Sequence, residues 1–250
     1  MAKKSFVQQL LHADIDAPDG GASRTLTEQT YAQLRTDIIE GQLLPGSKLR
    51  IEHLRQAYGV GAGTLREALT RLVSDALVTA EGQRGFRVSP IAMDDLQDIT
   101  RLRVHIETHA LRESIRHGDA AWRAQLQASY EELSAAEQPL SSENRRQWEA
   151  LNVRFHDSLL AGHASQWTVK VLRVLARHSE RYRCYAMGLP SLTRDVHAEH
   201  TEIFELAMAG QEARAALALE AHICTTPHLL LQAMREGKLV LPGRVQEGED

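Results

Sequence analysis

The stretch Tyr58–Val88, YGVGAGTLREALTRLVSDALVTAEGQRGFRV, decides the fold. Leu65, Leu69, Leu72 and Ala76 recur three and four residues apart, so a helix with one apolar face is predicted. Gly63, Glu67, Thr70 and Ser74 fall on the opposite face, flanked by Arg66 and Arg71. Upstream, Ile51–Tyr58 (IEHLRQAY) reads as a shorter helix, with Gly59-Val60-Gly61 as the sharp turn between the two. A helix, a glycine turn and a longer helix make a helix-turn-helix, whose second helix enters the major groove of DNA. The following VTAEGQRGFRV has the pattern of a small β-hairpin, a wing.

Gly59-Val60, then Arg66-Glu67-Ala68-Leu69, then LVT and an Arg-Gly pair in the wing resemble the winged-helix domain of GntR-type bacterial transcription regulators. The resemblance spans Arg24 to Pro90. It departs at Gly61-Ala62-Gly63-Thr64, where the family string has Ser-Arg-Thr-Pro, so Ala62 removes one arginine expected to contact DNA. Double-stranded operator DNA is the partner this resemblance implies. It places Arg35, Arg50, Gly63, Thr64, Arg66, Thr70, Arg71, Arg84 and Gly85 toward the duplex. Arg66 is expected to read bases, and Arg50, Arg71 and Arg84 to meet phosphates or present the wing.

Charge agrees with that placement. The chain has 250 residues and a net charge of −4, but residues 24–90 hold nine Lys/Arg against seven Asp/Glu. Residues 91–250 hold 18 against 23. The positive excess is small, so affinity is expected to need a homodimer and specific phosphate contacts rather than a broad basic field. Two cysteines, Cys184 and Cys224, make no disulfide framework, and a reducing cytoplasm is the expected compartment. No run is long enough for a secretory signal or a membrane span.

Residues 1–23 are polar and end in Asp, Pro and Gly, as a mobile arm would. Residues 24–91 form the expected DNA-binding unit, opening on a helix capped by Thr27 with Tyr31, Leu34, Ile38 and Ile39 on one face. After Pro90 the β-like pattern stops. Helical periodicity predicts six helices near 93–117, 119–137, 142–161, 165–187, 192–209 and 211–235, joined by short loops as in an antiparallel bundle. Residues 92–236 are thus a second unit, to which the GntR resemblance assigns effector binding and dimerisation, and 237–250 a loosely held tail. The fold class is mainly α, a winged helix-turn-helix followed by an all-helical bundle. In a GntR-type chain such a bundle resembles the FCD effector-binding domain of the FadR branch.

Twelve histidines are present, and three read as inward-facing on three different helices. His156 shares an apolar side with Phe155 and Leu159; His200 falls in step with Val196, Ile203, Phe204 and Ala207; His222 is flanked by Leu219 and Ile223. They are either core histidines or ligands converging in the bundle interior. FCD domains place a first ligand, usually Asp, four residues before a His, followed by two later histidines. Asn152, His156, His200 and His222 stand on those positions, which implies a divalent metal such as zinc or nickel. The neutral Asn152 is the departure. His197 lies three residues before His200 and is an alternative donor, whereas His105 and His109 read as solvent-facing and His178 as a core histidine.

Arg103, four residues before Glu107, matches an arginine of the first FCD helix. It either faces the pocket and clamps a carboxylate or pairs with Glu107 along the helix. Arg181 and Arg183 are alternative effector-binding cations. The reading is a DNA-binding repressor whose operator affinity responds to a small organic acid bound beside the metal. A regulator that senses the metal itself is the alternative. A bundle metalloenzyme is a more distant one, disfavoured because no HExxH or placed general base accompanies the histidines.

Overall fold

The computed structural model describes residues 25–82, 85–137, 144–163, 165–187 and 194–239. The expected arm over 1–23, Arg84 and residues 240–250 of the expected tail lie outside them.

Helix α1 spans Leu26–Ile39. Its cap is Thr25 rather than the expected Thr27. The Thr25 hydroxyl accepts from the Glu28 N–H at 3.2 Å while Glu28 Oε2 accepts the Thr25 N–H at 2.8 Å, a reciprocal capping box that Thr27 has no matching acid to form. Strand β1 (Lys48–Leu49) precedes α2 (Ile51–Tyr58). Gly59 ends α2 at φ +66°, a left-handed conformation in which a side chain is strained. Helix α3, Ala62–Ser74, follows.

Leu65, Ala68, Leu69 and Leu72 of α3 are fully buried against Leu34 and Ile38 of α1 and Leu54 of α2. Each such leucine contributes about 1.5–3 kcal/mol. The apolar face includes Ala68 and excludes Ala76. The helix stops at Ser74, and Ala76 sits beyond it, exposed at φ +57°. Strands β2 (Val78–Ala80) and β3 (Phe86–Val88) complete the wing in a three-stranded antiparallel sheet of order β1-β3-β2. Arg87 of β3 steadies the wing, donating from Nε to Glu81 at 2.6 Å and from Nη1 to the Gly46 carbonyl at 2.5 Å.

Six helices follow: α4 (Met93–His117), α5 (Ala120–Ala136), α6 (Arg145–Leu160), α7 (Gln166–Met187), α8 (Val196–Met208) and α9 (Glu212–Arg235). Helix α4 packs along α9, α7 and α6, while α5 packs on α6 and α8. Their core gathers Leu111, Leu126, Phe155, Leu159, Ile203 and Leu219. A smaller cluster, Ile91, Leu96, Ile99, Tyr182 and Leu230, joins the start of α4 to α7 and α9. No described helix is long and apolar enough to cross a membrane.

Candidate functional site

The outer face of α3 is polar because the inner face took every large apolar residue. Gly63, Arg66, Glu67, Thr70 and Ser74 are exposed on it, and Thr64 is half-buried in the first turn. The Thr70 hydroxyl donates back to the Arg66 carbonyl at 2.7 Å. Arg50 is exposed immediately before α2, and Gly85 opens β3 at φ +95°. Arg71 is half-buried, its guanidinium 4.5 Å from the Tyr31 ring centroid. Arg35 stands apart from these residues. It turns away from this face and donates to Glu180 of α7 at 2.6 Å, because its side of α1 meets the bundle.

In the bundle, His156 of α6, His200 of α8 and His222 of α9 present one ligand atom each, all within 4.8 Å of one another. Ring centroids are 5.7 Å apart for His156–His200, 4.7 Å for His200–His222 and 5.1 Å for His156–His222. Asn152 lies one turn before His156 on α6 and is buried, and its Oδ1 has no hydrogen-bond partner. His200 is fully buried and its Nε2 also lacks a partner. A buried polar atom left unpaired is costly, so the two orphaned atoms fit a bound group that would satisfy them.

The Nδ1 side of each ring faces a carboxylate. His200 Nδ1 lies 2.7 Å from Glu137 Oε1, His222 Nδ1 lies 2.8 Å from Glu199 Oε2, and His156 Nδ1 lies 3.7 Å from Glu107 Oε2. For His200, a proton on Nδ1 leaves Nε2 to offer a lone pair, the tautomer a metal requires, whereas His222 Nδ1 also has Arg194 Nη2 at 3.2 Å. Burial pushes the His156 pKa down to about 4, against the opposing pull of Glu107, and drives that of His222 well below its ordinary value. Both rings are therefore neutral near pH 7, which suits ligation. His197 bonds the other oxygen of Glu137 at 3.2 Å and is not among the three clustered rings. His178 contacts the Asp75 carbonyl at 3.2 Å, where α7 meets the DNA-binding unit, so its position is a junction rather than the bundle core.

The three arginines considered for an effector separate. Arg103 Nε donates to Glu107 Oε1 at 2.6 Å, so the pairing along the helix is formed, and it is formed beside His156. Burial alone would raise the Glu107 carboxyl, but Arg103 and His156 overcome it and hold the pKa at about 2. Arg181 and Arg183 have partners elsewhere in the fold. Arg181 is 1% exposed and donates to the Ser89 carbonyl at 2.9 Å, under the DNA-binding unit. Arg183 grips both oxygens of Glu149, at 3.0 and 2.8 Å.

Sequence reasoning missed Glu137, Glu199 and Arg194. Arg194 donates from Nη2 to Glu199 at 2.6 Å and to the His222 carbonyl at 3.0 Å, and its Nη1 donates to Thr226 at 2.9 Å. No local spacing relates Glu137 to His200; they meet only because α5 and α8 pack together.

The model for bacterial regulatory proteins of the gntR family matches residues 26–88, and that for the FCD domain matches residues 98–225. The chain is 40% identical over 205 residues to the uncharacterized HTH-type transcriptional regulator BphR of Paraburkholderia xenovorans, covering 80% of this chain and 83% of the relative. It is 32% identical over 209 residues to the HTH-type transcriptional repressor GlaR of Escherichia coli, covering 82% of this chain and 95% of GlaR. Among solved structures, Escherichia coli McbR/YncC superposes with a TM-score of 0.68 at 20% identity, covering 85% of this chain and all of that one, which speaks to the fold alone.

Proposed function

Because the chain belongs to the GntR family of bacterial regulatory proteins and carries an FCD domain, we propose that it is a repressor controlled by a small organic acid bound beside a metal ion. That it is a DNA-binding transcription regulator and not an enzyme follows from the family. The name of GlaR supports repression. As a homodimer it would set two α3 helices in major grooves about 34 Å apart, one helical turn of DNA. Arg66 would read a base edge, with Arg50 and Arg71 on phosphates.

One observation carries the rest of the reading. Three clustered histidines backed by carboxylates stand beside an Asn152 Oδ1 and a His200 Nε2 that are buried without partners. His156, His200 and His222 would hold the ion, with Asn152 adjacent; zinc and nickel both suit imidazole. The ion would supply a fixed positive charge for a carboxylate, and Arg103 a second one, shared with Glu107. All four candidate donors are neutral when bound, so an anionic ligand is favoured over a neutral one.

Operator affinity measured by fluorescence anisotropy tests this, first in chelator, then with zinc or nickel, then with a panel of small organic acids. We expect metal to bind and an acid to shift operator affinity by about 1–3 kcal/mol. A shift with metal alone, unaltered by any acid, would mean that the protein senses the metal. Absence of any shift would overturn the reading.

A further inference from the structure

Two bundle helices grip the DNA-binding unit, and only one of them bears candidate metal donors. Helix α7 holds the end of α3: Arg177 pairs with the Asp75 carboxylate, which also takes the Tyr31 hydroxyl, and His178 meets the Asp75 carbonyl. It contributes none of the clustered histidines. Helix α6 holds the end of α1. Glu40, the residue closing α1, accepts from Arg146 Nε at 2.7 Å, Arg146 Nη2 at 2.8 Å and Arg145 Nη2 at 3.1 Å.

From Arg145 the same face of α6 runs through Glu149 and Asn152 to His156, at spacings of four, three and four residues. Each of these side chains has a named role. Arg145 reaches Glu40, Glu149 is locked to Arg183 of α7, Asn152 presents its orphaned Oδ1, and His156 joins the histidine cluster. Eleven residue steps of helix make a rod of about 16 Å. A hydrogen-bonded helix moves as a unit, so a displacement at His156 is delivered to Arg145 and Arg146. Glu40 then receives it and passes it to α1, whose Leu34 and Ile38 pack on the buried face of α3.

We infer that α6 is the lever joining the histidine site to the DNA-binding unit, with Arg145, Arg146 and Glu40 as positioning residues. The inference rests on the proposed ligand site for its trigger, but the lever is present in the free chain and is testable without a metal. Coupling is reciprocal: if occupancy at His156 moves α3, then DNA on α3 must alter α6.

The test uses the full chain, wild type and with Glu40→Gln or Arg146→Gln. Zinc affinity is measured by calorimetry, and operator affinity with and without zinc by anisotropy. Amide exchange over residues 152–156 is followed before and after adding operator DNA. We expect zinc affinity to stay within about two-fold in the variants, whereas the zinc-dependent change in operator affinity, about 5–150-fold for ordinary allosteric coupling, shrinks toward none. Operator DNA should change exchange over 152–156 in wild type and much less in the variants. A zinc effect of equal size in both variants overturns the lever. If wild type binds no zinc, the metal reading fails separately, and the exchange arm decides: an operator-induced change absent from wild type, or undiminished in the variants, overturns the inference.

Discussion

The imidazole of His200 is held through Nδ1 by Glu137 Oε1 at 2.7 Å, and the same carboxylate oxygen accepts the indole N–H of Trp148 at 2.9 Å. A fully buried ring is thereby fixed from α5 and α6 at once, and only Nε2 is left for another partner.

That relationship gives the first prediction. His200→Ala should abolish metal retention, and Glu137→Gln should weaken zinc binding about 10–100-fold, the usual cost of losing a carboxylate behind a metal-ligating histidine. Competition with a chromophoric chelator measures both. Equal zinc affinity in Glu137→Gln and wild type would mean that the carboxylate does not orient the ring for a metal.

The exposed face of α3 gives the second. Arg66→Ala should cost about 1–3 kcal/mol of operator binding, chiefly by lost discrimination at one base pair. Arg50→Ala should weaken all sequences alike and lower the salt slope by about one. Arg35→Met should leave the salt slope unchanged, since Arg35 is spent on Glu180. Anisotropy titrations at several salt concentrations separate the three.

Gly63 offers a third. Its backbone is not left-handed, and a Cβ placed there meets nothing within 4 Å, so neither conformation nor packing asks for glycine. Gly63→Ala should raise the stability of the DNA-binding unit by up to about 1 kcal/mol through helix propensity. If this face lies against the duplex, the added methyl should nonetheless lower operator affinity. Thermal unfolding alongside operator titration reads the two effects, and undiminished binding would move the close contact away from Gly63.

The fourth concerns alkaline pH. Burial, and then the hydrogen bond to Asp75, push the Tyr31 hydroxyl up to about 12 from an ordinary value of 10.0. Between those values the folded chain keeps a proton that the unfolded chain releases. The stabilisation is therefore complete below pH 10 and is lost as pH rises toward 12. Tyr182 behaves alike, so part of the decline persists without Tyr31. Urea unfolding from pH 9 upward should show a shallower decline in Tyr31→Phe than in wild type, and parallel declines would contradict the assignment.

The sequence by itself determined the features that depend on residues three or four apart. The buried stripe of α3, the glycine stop at Gly59, the six bundle helices and the inward setting of His156, His200 and His222 all follow from helical period and backbone sterics, which are local. The exposure of Arg66 was legible for the same reason, since the face opposite a buried stripe is turned to solvent. Even there the end of the helix was misjudged at Ala76, because a frayed last turn carries little periodicity.

Only the tertiary structure decided what the charged side chains do. Arg35 found Glu180, 145 residues away, and Arg181 found the Ser89 carbonyl, 92 residues away, while Arg183 took Glu149, 34 residues away. Glu137 reached His200 across 63 residues. A buried charge must be paired, but many partners satisfy that demand equally in one dimension. Which one is taken depends on how the helices pack, and no periodicity along a single helix encodes it.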